Sequence, residues 1–388
     1  MEFLTLEKLE KNYLESIGFS WHTDEDGSDY LDNRFICVSK NEANAYYEAA
    51  NELYDMFIAA AQNVIDNDRF DELGIPFNLI DAIKMSWENE VHWHLYGRFD
   101  FAGGLDGKPI KLIEFNADTP TSLFESAILQ WATLKQNNLD EHLQFNSIYE
   151  SLIDNFKRLI TLDESVEEFE EHYRGWKILF SSVAGNKEEE LTTKLLAHIA
   201  KDAGFECDFS YVDEVEFGEE GIFKNGVNYE YWFKLIPWEE IAIEEGELAM
   251  LLTQIMRNQK AIILNPAYTL LFQSKGILKI LWELYPNHPL LLESSYEPLQ
   301  GKDFVKKPMF GREGANISII KDDVKLQENI GPYGNNKMIY QQYYELNSSE
   351  NEYYQAGVFF AYEGCGLGFR KGGLIIDNAS KFVGHIIK

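Results

Sequence analysis

Four polar side chains carry the clearest chemical signal in the sequence. Arg98 and Asp100 lie two residues apart in one strand-like run, and Glu114 and Asn116 lie two apart in the next. Alternate residues of a strand share a face, so each pair should project together, roughly 6.6 Å apart. Two carboxylates and an amide oxygen suit Mg²⁺ or Mn²⁺, and the arginine could hold a phosphate or carboxylate. The alternative is the outward face of an ordinary half-solvated hairpin.

The residues after Asn116 favour the chemical interpretation. Residues 117–122 read Ala-Asp-Thr-Pro-Thr-Ser, which places small hydroxyl side chains at a predicted helix start. Free backbone N–H groups and a positive dipole end at such a start attract an anionic substrate. Ser122 and Glu125 have the spacing of a capping box, which predicts a helix through about Leu134. Ser122 could therefore cap the helix, contact a substrate, or do both.

A second group of candidate residues lies in the carboxy-terminal third. Lys275 precedes a helix-like segment, and Lys307 ends a strand-like run that leads into a turn containing Gly311 and Gly314. A glycine-rich turn can fold closely over phosphates, and lysines supply point charges to them. The segment has neither a G-K-[ST] sequence nor a G-x-G-x-x-G after a strand, which excludes classical P-loop and Rossmann sites.

The elements that must position these residues predict an α+β fold. An Asp-Gly turn at 106–107 joins the two polar strands into a β-hairpin. Apolar residues at helical spacing predict a helix over 41–66, and the pattern from 176 to 209 predicts a βαβ unit. We expect a further buried strand at 261–264 and a solvated loop at 213–220. Antiparallel strands are predicted at 305–310, 317–320, 339–343, 358–360, 367–370 and 374–376.

Composition excludes several classes of protein. The 388 residues carry a formal net charge of −31, which leaves little room for the basic face that a nucleic-acid binder needs. Three cysteines far apart in the sequence favour a reducing cytoplasm over a disulfide framework. No run approaches the ~18 apolar residues of a membrane span, and the amino terminus lacks a signal-peptide pattern. We therefore expect an unprocessed cytoplasmic protein without membrane or nucleic-acid partners.

Two weaker candidates have simpler interpretations. His92 and His94 could bind a metal from a strand, but two histidines without a third ligand are more often packing residues. Cys365 lies between two glycines near Arg370, where a reactive thiol is conceivable. We favour a small buried residue beside a crowded site.

Taken together, these motifs resemble a known enzyme family. The segments are YGRFDF, KLIEFNADTPTSLFES, YPNHPLLL, VKKPMFGREGANI, IYQQY, GLGFR and LIIDNASKFVGH. In this order they are similar to the synthetase domain of the glutathionylspermidine synthase family, from about residue 10 to the end. The resemblance implies a permuted ATP-grasp fold with an additional βαβ-containing pre-ATP-grasp lobe. It implies one synthetase unit over 1–388, with approximate lobes at 1–170, 171–265 and 266–388, and without the amidase domain of bifunctional members.

The resemblance also implies roles for individual residues. Magnesium, in the form of about two ions, would be bound by Asp100, Glu114 and Asn116. ATP would be bound by Lys275, Lys307, Arg312, Gly314 and Gln342. Arg98 and Arg370 would act at the reaction centre, and contacts to the acid and amine substrates would come from Thr119, Thr121, Ser122, Glu188, Glu189 and Asp377.

The chemistry that these roles imply is an ATP- and Mg²⁺-dependent ligation. ATP converts a carboxylate to an acyl phosphate, and an amine then attacks it to form an amide. The expected partners are a small peptide-like acid and a polyamine-like amine. The sequence departs from glutathionylspermidine synthases proper at 119–122 and at 232–239, where it resembles a stand-alone subgroup described only as acid–amine ligases. The resemblance therefore implies the reaction class, but it does not imply that glutathione and spermidine are the substrates. The alternative is a catalytically silent ATP- or polyamine-binding module.

Overall fold

Helices and four separate β-sheets make up the part of the chain that the computed structural model describes, residues 1–24, 26–161 and 176–388. The α-helices in these ranges are α1 Lys11–Ser16, α2 Lys40–Asp66, α3 Ile80–Glu88, α4 Gln130–Gln136, α5 Ile148–Thr161, α6 Lys187–Asp202, α7 Trp238–Glu244, α8 Gly246–Arg257, α9 Thr269–Gln273 and α10 Ile277–Leu284. Single turns of 3₁₀-helix occur at Phe70–Leu73, Phe77–Leu79, Glu141–Leu143 and Val212–Glu214, and a π-helical turn at Glu125–Leu129.

The strands of the described ranges are β1 Phe3–Thr5, β2 Leu31–Val38, β3 Gly97–Ala102, β4 Lys111–Asn116, β5 Lys177–Ser182, β6 Glu206–Tyr211, β7 Glu216–Gly218, β8 Gly221–Lys224, β9 Val227–Tyr229, β10 Tyr231–Lys234, β11 Ile262–Leu264, β12 Ser294–Ser295, β13 Phe304–Pro308, β14 Ser318–Lys321, β15 Val324–Glu328, β16 Met338–Gln342, β17 Asn347–Ser349, β18 Glu352–Ala361, β19 Glu363–Gly372 and β20 Lys381–Ile387.

The largest sheet has the order β1-β2-β20-β19-β18-β3-β4, with β17 also paired to β18. Helix α2 covers one face of it. Tyr46, Leu53 and Phe57 of the helix join Phe99 and Phe115 of the sheet in the main hydrophobic core. A capping box at Ser39 and Glu42 starts the helix, as both side chains bond to backbone N–H groups there. The predicted helix over 41–66 is confirmed.

The carboxy-terminal strands divide between two sheets. Strands β12 to β16 form a five-stranded antiparallel sheet with the order β12-β16-β13-β14-β15, whereas β18, β19 and β20 belong to the large sheet. The prediction of a strand at 374–376 is wrong, because these residues form a bend after Gly373 and pack against Gly314. The prediction also missed β12, β15, β17 and β20, of which β20 pairs antiparallel with β19 and parallel with β2.

The predicted βαβ unit is confirmed. Strands β5 and β6 pair in parallel on either side of α6 in the chain, and β10 and β11 complete a four-stranded parallel sheet that includes the predicted strand near 261–264. The expected solvated loop at 213–220 is wrong in part, because β7 pairs with β8 in a three-stranded meander. The expected boundary between the first two lobes, at residues 170 and 171, lies outside the described residues.

The capping box predicted at Ser122 and Glu125 does not form, although a helical segment does run to Gln136. Ser122 has a φ of +63°, which belongs to the left-handed region that Ser rarely adopts. The Glu125 carboxylate does not turn back to Ser122. It is buried and accepts hydrogen bonds from Tyr30 Oη at 3.1 Å and Trp21 Nε1 at 3.4 Å. The helix therefore starts without the side-chain cap that the spacing suggested.

Both histidines of the weak metal candidate are packing residues. His92 and His94 are buried in a loop before β3 and not on a strand. Burial lowers the pKa of His94 to about 4, and its Nε2 lies 3.1 Å from the Ala117 carbonyl oxygen. Cys365 is buried as predicted, and burial raises the pKa of its thiol. None of the helices in the described ranges combines the length and apolarity needed to cross a bilayer.

Candidate active site

Strand alternation directs the four polar side chains of the hairpin to one face, opposite the aromatic core. Strands β3 and β4 pair so that Arg98 lies opposite Asn116 and Asp100 opposite Glu114. Phe99 and Phe115, between them in sequence, stack with ring centroids 3.8 Å apart on the core side. The polar face opens into a cavity of about 250 Å³ between the large sheet and the five-stranded sheet. The predicted convergence of these side chains is present.

The hairpin residues hold one another in place. Arg98 makes two hydrogen bonds to Asp100, from Nε to Oδ1 at 2.7 Å and from Nη2 to Oδ2 at 2.9 Å. Its Nη1 donates to the Thr121 carbonyl oxygen at 2.7 Å. Asn116 Nδ2 lies 3.1 Å from Asp100 Oδ2 and 3.3 Å from Glu114 Oε1. The two carboxylates and the amide therefore sit within one hydrogen-bonded group.

Both predicted phosphate lysines reach this group from across the cavity. Lys275 Nζ lies 3.3 Å from Glu114 Oε2 and donates to the Gly311 carbonyl at 2.9 Å. Lys307 Nζ donates to the Ile113 carbonyl at 2.8 Å and to Gln341 Oε1 at 2.9 Å. Burial lowers the pKa of Lys307 to about 8, with Glu114 opposing the shift and Lys275 adding to it. Two cationic side chains thus face two carboxylates inside this cavity.

Burial and neighbouring charges shift the pKa values of the two carboxylates in opposite directions. Burial acts to raise the pKa of Glu114, but the charges of Lys275, Lys307 and Arg98 outweigh it and hold the pKa below its ordinary value. Burial raises the pKa of Asp100 despite its contact with Arg98. Among the described residues no three His, Cys, Asp or Glu side chains cluster as metal ligands. Asn116 turns its Nδ2 toward both carboxylates, so its amide group would have to turn over before its oxygen could join them around a cation. The all-oxygen set suits Mg²⁺.

The turn between β13 and β14 forms one wall of the cavity. Arg312 Nη1 donates to Thr119 Oγ1 at 3.1 Å, and its Nη2 donates to Glu239 Oε1 at 2.7 Å. Gly314 has a φ of +66°, and a Cβ there would lie 2.5 Å from the Ile376 carbonyl oxygen. Only glycine therefore fits where the turn crosses the segment that was wrongly predicted as a strand.

The opposite wall is acidic. The Asn186 side chain caps α6 by accepting from the Glu189 N–H at 3.2 Å, and this places Glu188 and Glu189 of the first turn on the cavity. Burial raises the pKa of Glu188, with Arg370 and Arg98 opposing it, and burial raises the pKa of Glu189 to about 7. Arg370 Nη2 donates to the carbonyls of Asp377 at 3.0 Å and Ser380 at 2.8 Å.

The structure brings together all but one of the residues predicted for the site. The cavity is lined by Arg98, Asp100, Glu114, Asn116, Thr119, Thr121, Glu188, Glu189, Lys275, Lys307, Arg312, Gly314, Gln342, Arg370 and Asp377. Ser122 is the exception, because it lies in a smaller space behind Arg98 and Arg370. The Asp377 carboxylate is partly engaged in its own turn, where Oδ1 accepts from the Ala379 N–H at 3.1 Å.

Sequence reasoning missed Glu125. Its side chain is fully buried, its Oε2 has no hydrogen-bond partner among the described residues, and burial with the nearby Glu188 charge raises its pKa to about 7. The S-x-x-E spacing drew attention to this residue, but as a helix cap. Its real neighbours, Tyr30 and Trp21, are about a hundred positions away in the chain, and no local pattern indicates them.

A buried ion pair supports the segment that carries Thr119. Asp118 and Lys234 are both fully buried, with Lys234 Nζ 2.9 Å from Asp118 Oδ1. Asp118 Oδ2 also accepts from the Trp238 N–H at 2.9 Å, and Lys234 Nζ donates to the Ile236 carbonyl at 2.8 Å. The pair joins the loop after β4 to the end of β10, so it fixes Thr119 relative to the parallel sheet.

Replacing Lys234 by methionine should destabilise the fold by about 3 kcal/mol, because it leaves the Asp118 charge buried without its partner. Urea unfolding followed by tryptophan fluorescence measures the change. The double variant Asp118→Asn/Lys234→Met should recover much of the loss. Lys260→Met is a matched control, since Lys260 pairs with Glu220 at an exposed site and should change stability by less than about 1 kcal/mol. A loss as small as that of the control would contradict a structural role for the pair.

The sequence matches the model of one protein family over its whole length. The family is described as "Glutathionylspermidine synthase preATP-grasp", and the match covers residues 1–388. A Haemophilus influenzae protein named "Putative acid--amine ligase" is 32% identical over 391 residues, which cover 96% of this chain and 95% of that protein. The bifunctional glutathionylspermidine synthetase/amidase of Escherichia coli is 24% identical over 354 residues, 84% of this chain and 54% of that enzyme. This chain therefore spans about half the length of the bifunctional enzyme.

A solved structure shares the fold. The apo form of a glutathione synthetase-like effector from Globodera pallida superimposes with a TM-score of 0.58 over 99% of this chain and 100% of that one, at 9% sequence identity. The mixed α+β architecture is thus that of glutathione synthetase-like proteins. The match of the family model over residues 1–388 shows that the chain belongs to the glutathionylspermidine synthase preATP-grasp family.

Proposed function

We propose that this chain is an ATP-dependent carboxylate–amine ligase that forms an amide through an acyl phosphate. The observation that carries the proposal is that two segments far apart in the sequence line the same cavity. Lys275 Nζ lies 3.3 Å from Glu114 Oε2, and Lys307 donates to the backbone of the residue before Glu114. Carboxylates that could bind a cation therefore lie opposite lysines that could bind phosphates. A metal-bound triphosphate requires this arrangement. The relatives named as ligases and synthetases support the same reaction class.

The nucleotide would occupy the side of the cavity next to the five-stranded sheet, in a permuted ATP-grasp arrangement. Lys275 and Lys307 would contact the phosphates, and the Arg312 to Gly314 turn would cover them. The walls beyond the lysines are apolar and suit an adenine ring, with Gln342 at the edge; they include Ile113, Leu292, Val305, Ile319 and Leu346. Two Mg²⁺ ions would be held by Asp100, Glu114 and Asn116. Their positive charge would offset the negative charge of the phosphates.

The acid and the amine would occupy the remaining part of the cavity. Arg98 and Arg370 would bind the carboxylate and orient it toward the γ-phosphoryl group. Transfer of that group gives the acyl phosphate and ADP. The amine then attacks the carbonyl carbon, phosphate leaves, and the attacking nitrogen loses a proton. Glu188, Glu189 and Asp377 would hold the cationic amine, and the ionised glutamates could accept its proton.

The substrate classes follow from the same charges. A polyamine-like amine fits the Glu188–Glu189 wall, and the formal net charge of −31 favours the approach of cations. A peptide-like acid fits the hydroxyl groups of Thr119 and Thr121. We also propose that the chain acts in the cytoplasm as one synthetase unit with lobes near 1–170, 171–265 and 266–388.

Phosphate release tests the ligase directly. Purified protein with Mg²⁺-ATP and a panel of small acids and amines should release phosphate only when a correct pair is present, and mass spectrometry should detect the amide. ADP formation with an acid alone would indicate a phosphotransferase. If no pair reacts and Glu114→Ala leaves ATP affinity unchanged, the chain is a silent ATP- or polyamine-binding module and the ligase proposal fails.

The amine site predicts a pH dependence. Because burial raises the pKa of Glu189 to about 7, its carboxylate becomes neutral as the pH falls below that value, and the KM for a cationic amine should rise. Kinetics between about pH 6 and pH 8, roughly 1 unit either side of this pKa, would measure the effect. Glu189→Gln should raise KM above about pH 7, match the wild type at about pH 6, and so remove this dependence. Glu190→Gln is the control on the same helix, because Glu190 pairs with Lys187 and Lys194; an equal effect of both variants would exclude the assigned role.

A further inference from the structure

A second, much smaller space lies behind the reaction centre. Its volume is about 10 Å³, and it shares Arg98, Asp100, Gln355 and Arg370 with the main cavity. Ser122 and Ser126 form its far side. A volume of this size holds about one water molecule and no larger ligand.

Two buried polar atoms belong to residues that line this space and have no hydrogen-bond partner in the described part of the chain. They are Ser122 Oγ and Arg370 Nε. Ser122 is only 3% exposed, and its φ of +63° differs from the extended backbone of a helix N-cap. Buried groups of this kind are nearly always satisfied, by protein atoms or by an ordered water. An N–H donor and a hydroxyl are complementary to one water, which can accept from the first and donate to the second.

Paired glycines keep the space open. Gly357 of β18 and Gly368 of β19 lie directly opposite each other in the sheet. A Cβ at Gly357 would lie 3.1 Å from Arg98 Cδ, and one at Gly368 would lie 2.8 Å from Ser126 Oγ. Any other residue at either position would fill the volume or displace its walls. The sheet is therefore built with a gap beneath the two arginines.

We propose that one buried water molecule in this gap joins Arg370 Nε to Ser122 Oγ, so that Ser122 is a positioning residue for Arg370 and not a contact to the substrate. The inference rests on the proposed function, in which Arg370 binds the reacting carboxylate. Arg370 Nη2 already donates to the carbonyls of Asp377 and Ser380. With Nε held by the water, the guanidinium plane is fixed from two sides and Nη1 is left for the substrate.

The first test is independent of activity. A high-resolution crystal structure of the full chain without substrates should contain one ordered water within about 2.7–3.2 Å of both Ser122 Oγ and Arg370 Nε. Ser122→Ala should lose this water or displace it from Arg370. Ser122→Gly removes the same hydroxyl while relieving the left-handed backbone conformation, so it reports on the water even if the alanine variant folds poorly. A wild-type structure without a water bridging the two atoms overturns the inference, whatever the protein catalyses.

The second test separates positioning from substrate binding. With a substrate pair identified by phosphate release, Ser122→Ala and Ser122→Gly should each lower kcat about tenfold, the effect of one lost hydrogen bond, and leave the KM of the acid unchanged. Ser122→Cys, which keeps a weak donor and acceptor, should recover part of kcat. A rise in the KM of the acid with kcat unchanged would make Ser122 a substrate contact and overturn the proposal. An unchanged kcat in all three variants would overturn it as well.

Discussion

Replacing Lys307 by methionine should lower kcat/KM for ATP-driven phosphate release roughly 10³-fold. Methionine keeps the length and packing of the side chain but removes the charge that sits between the Ile113 carbonyl and Gln341. In the proposed reaction that charge faces the γ-phosphoryl group, where negative charge spreads over several oxygens in the transition state. A buried cation in a site closed to water contributes far more than the same cation at the surface.

Lys306→Met provides the control, because Lys306 lies on the same strand with its side chain on the other face and does not line the cavity. Steady-state phosphate release at varied ATP concentration, with a saturating acid–amine pair, gives kcat/KM for both variants, and thermal unfolding shows whether either variant has lost its fold. Similar activities for Lys307→Met and Lys306→Met in folded protein would exclude Lys307 from the phosphate site.

Local patterns were sufficient to predict the hairpin and the polar side chains that share one of its faces. Alternation along β3 and β4 decides which side chains face the core, and the same alternation placed Arg98, Asp100, Glu114 and Asn116 together. The βαβ unit followed from periodicity alone, because its strands and helix are consecutive in the chain. These parts of the fold depend on near neighbours, which a sequence displays directly.

The errors concern contacts between distant residues. No local pattern near residue 305 indicates that β13 to β16 form one sheet while β18 to β20 join another. That division depends on pairing with strands that are distant in the sequence. Ser122 was expected to cap a helix, but its backbone is left-handed and its side chain lines the space beneath Arg370. The Asp118–Lys234 pair joins residues 116 positions apart and gives no local signal.

The charge of Glu114 should be as important as that of Lys307. Glu114→Gln keeps the shape of the side chain, but we expect it to lower kcat/KM roughly 10³-fold, for two reasons. The glutamate is a proposed ligand of the divalent cation. It also supports the charge of Lys307, whose pKa of about 8 would fall further without it, so that less of the lysine is charged at pH 7.5.

The two contributions can be measured separately. Titration of Mn²⁺ in the presence of a non-hydrolysable ATP analogue reports on the metal, and the fall of activity at alkaline pH reports on Lys307, which should begin at lower pH in the variant. Glu328→Gln is the control, since Glu328 is exposed on β15. If Glu114→Gln keeps the affinity for Mn²⁺ but shifts the pH profile, Glu114 supports the lysine and is not a metal ligand. If the variant changes neither the Mn²⁺ affinity nor the pH profile, the hairpin is not part of the reaction centre. The contact between Glu114 and Lys275 then has no role in catalysis.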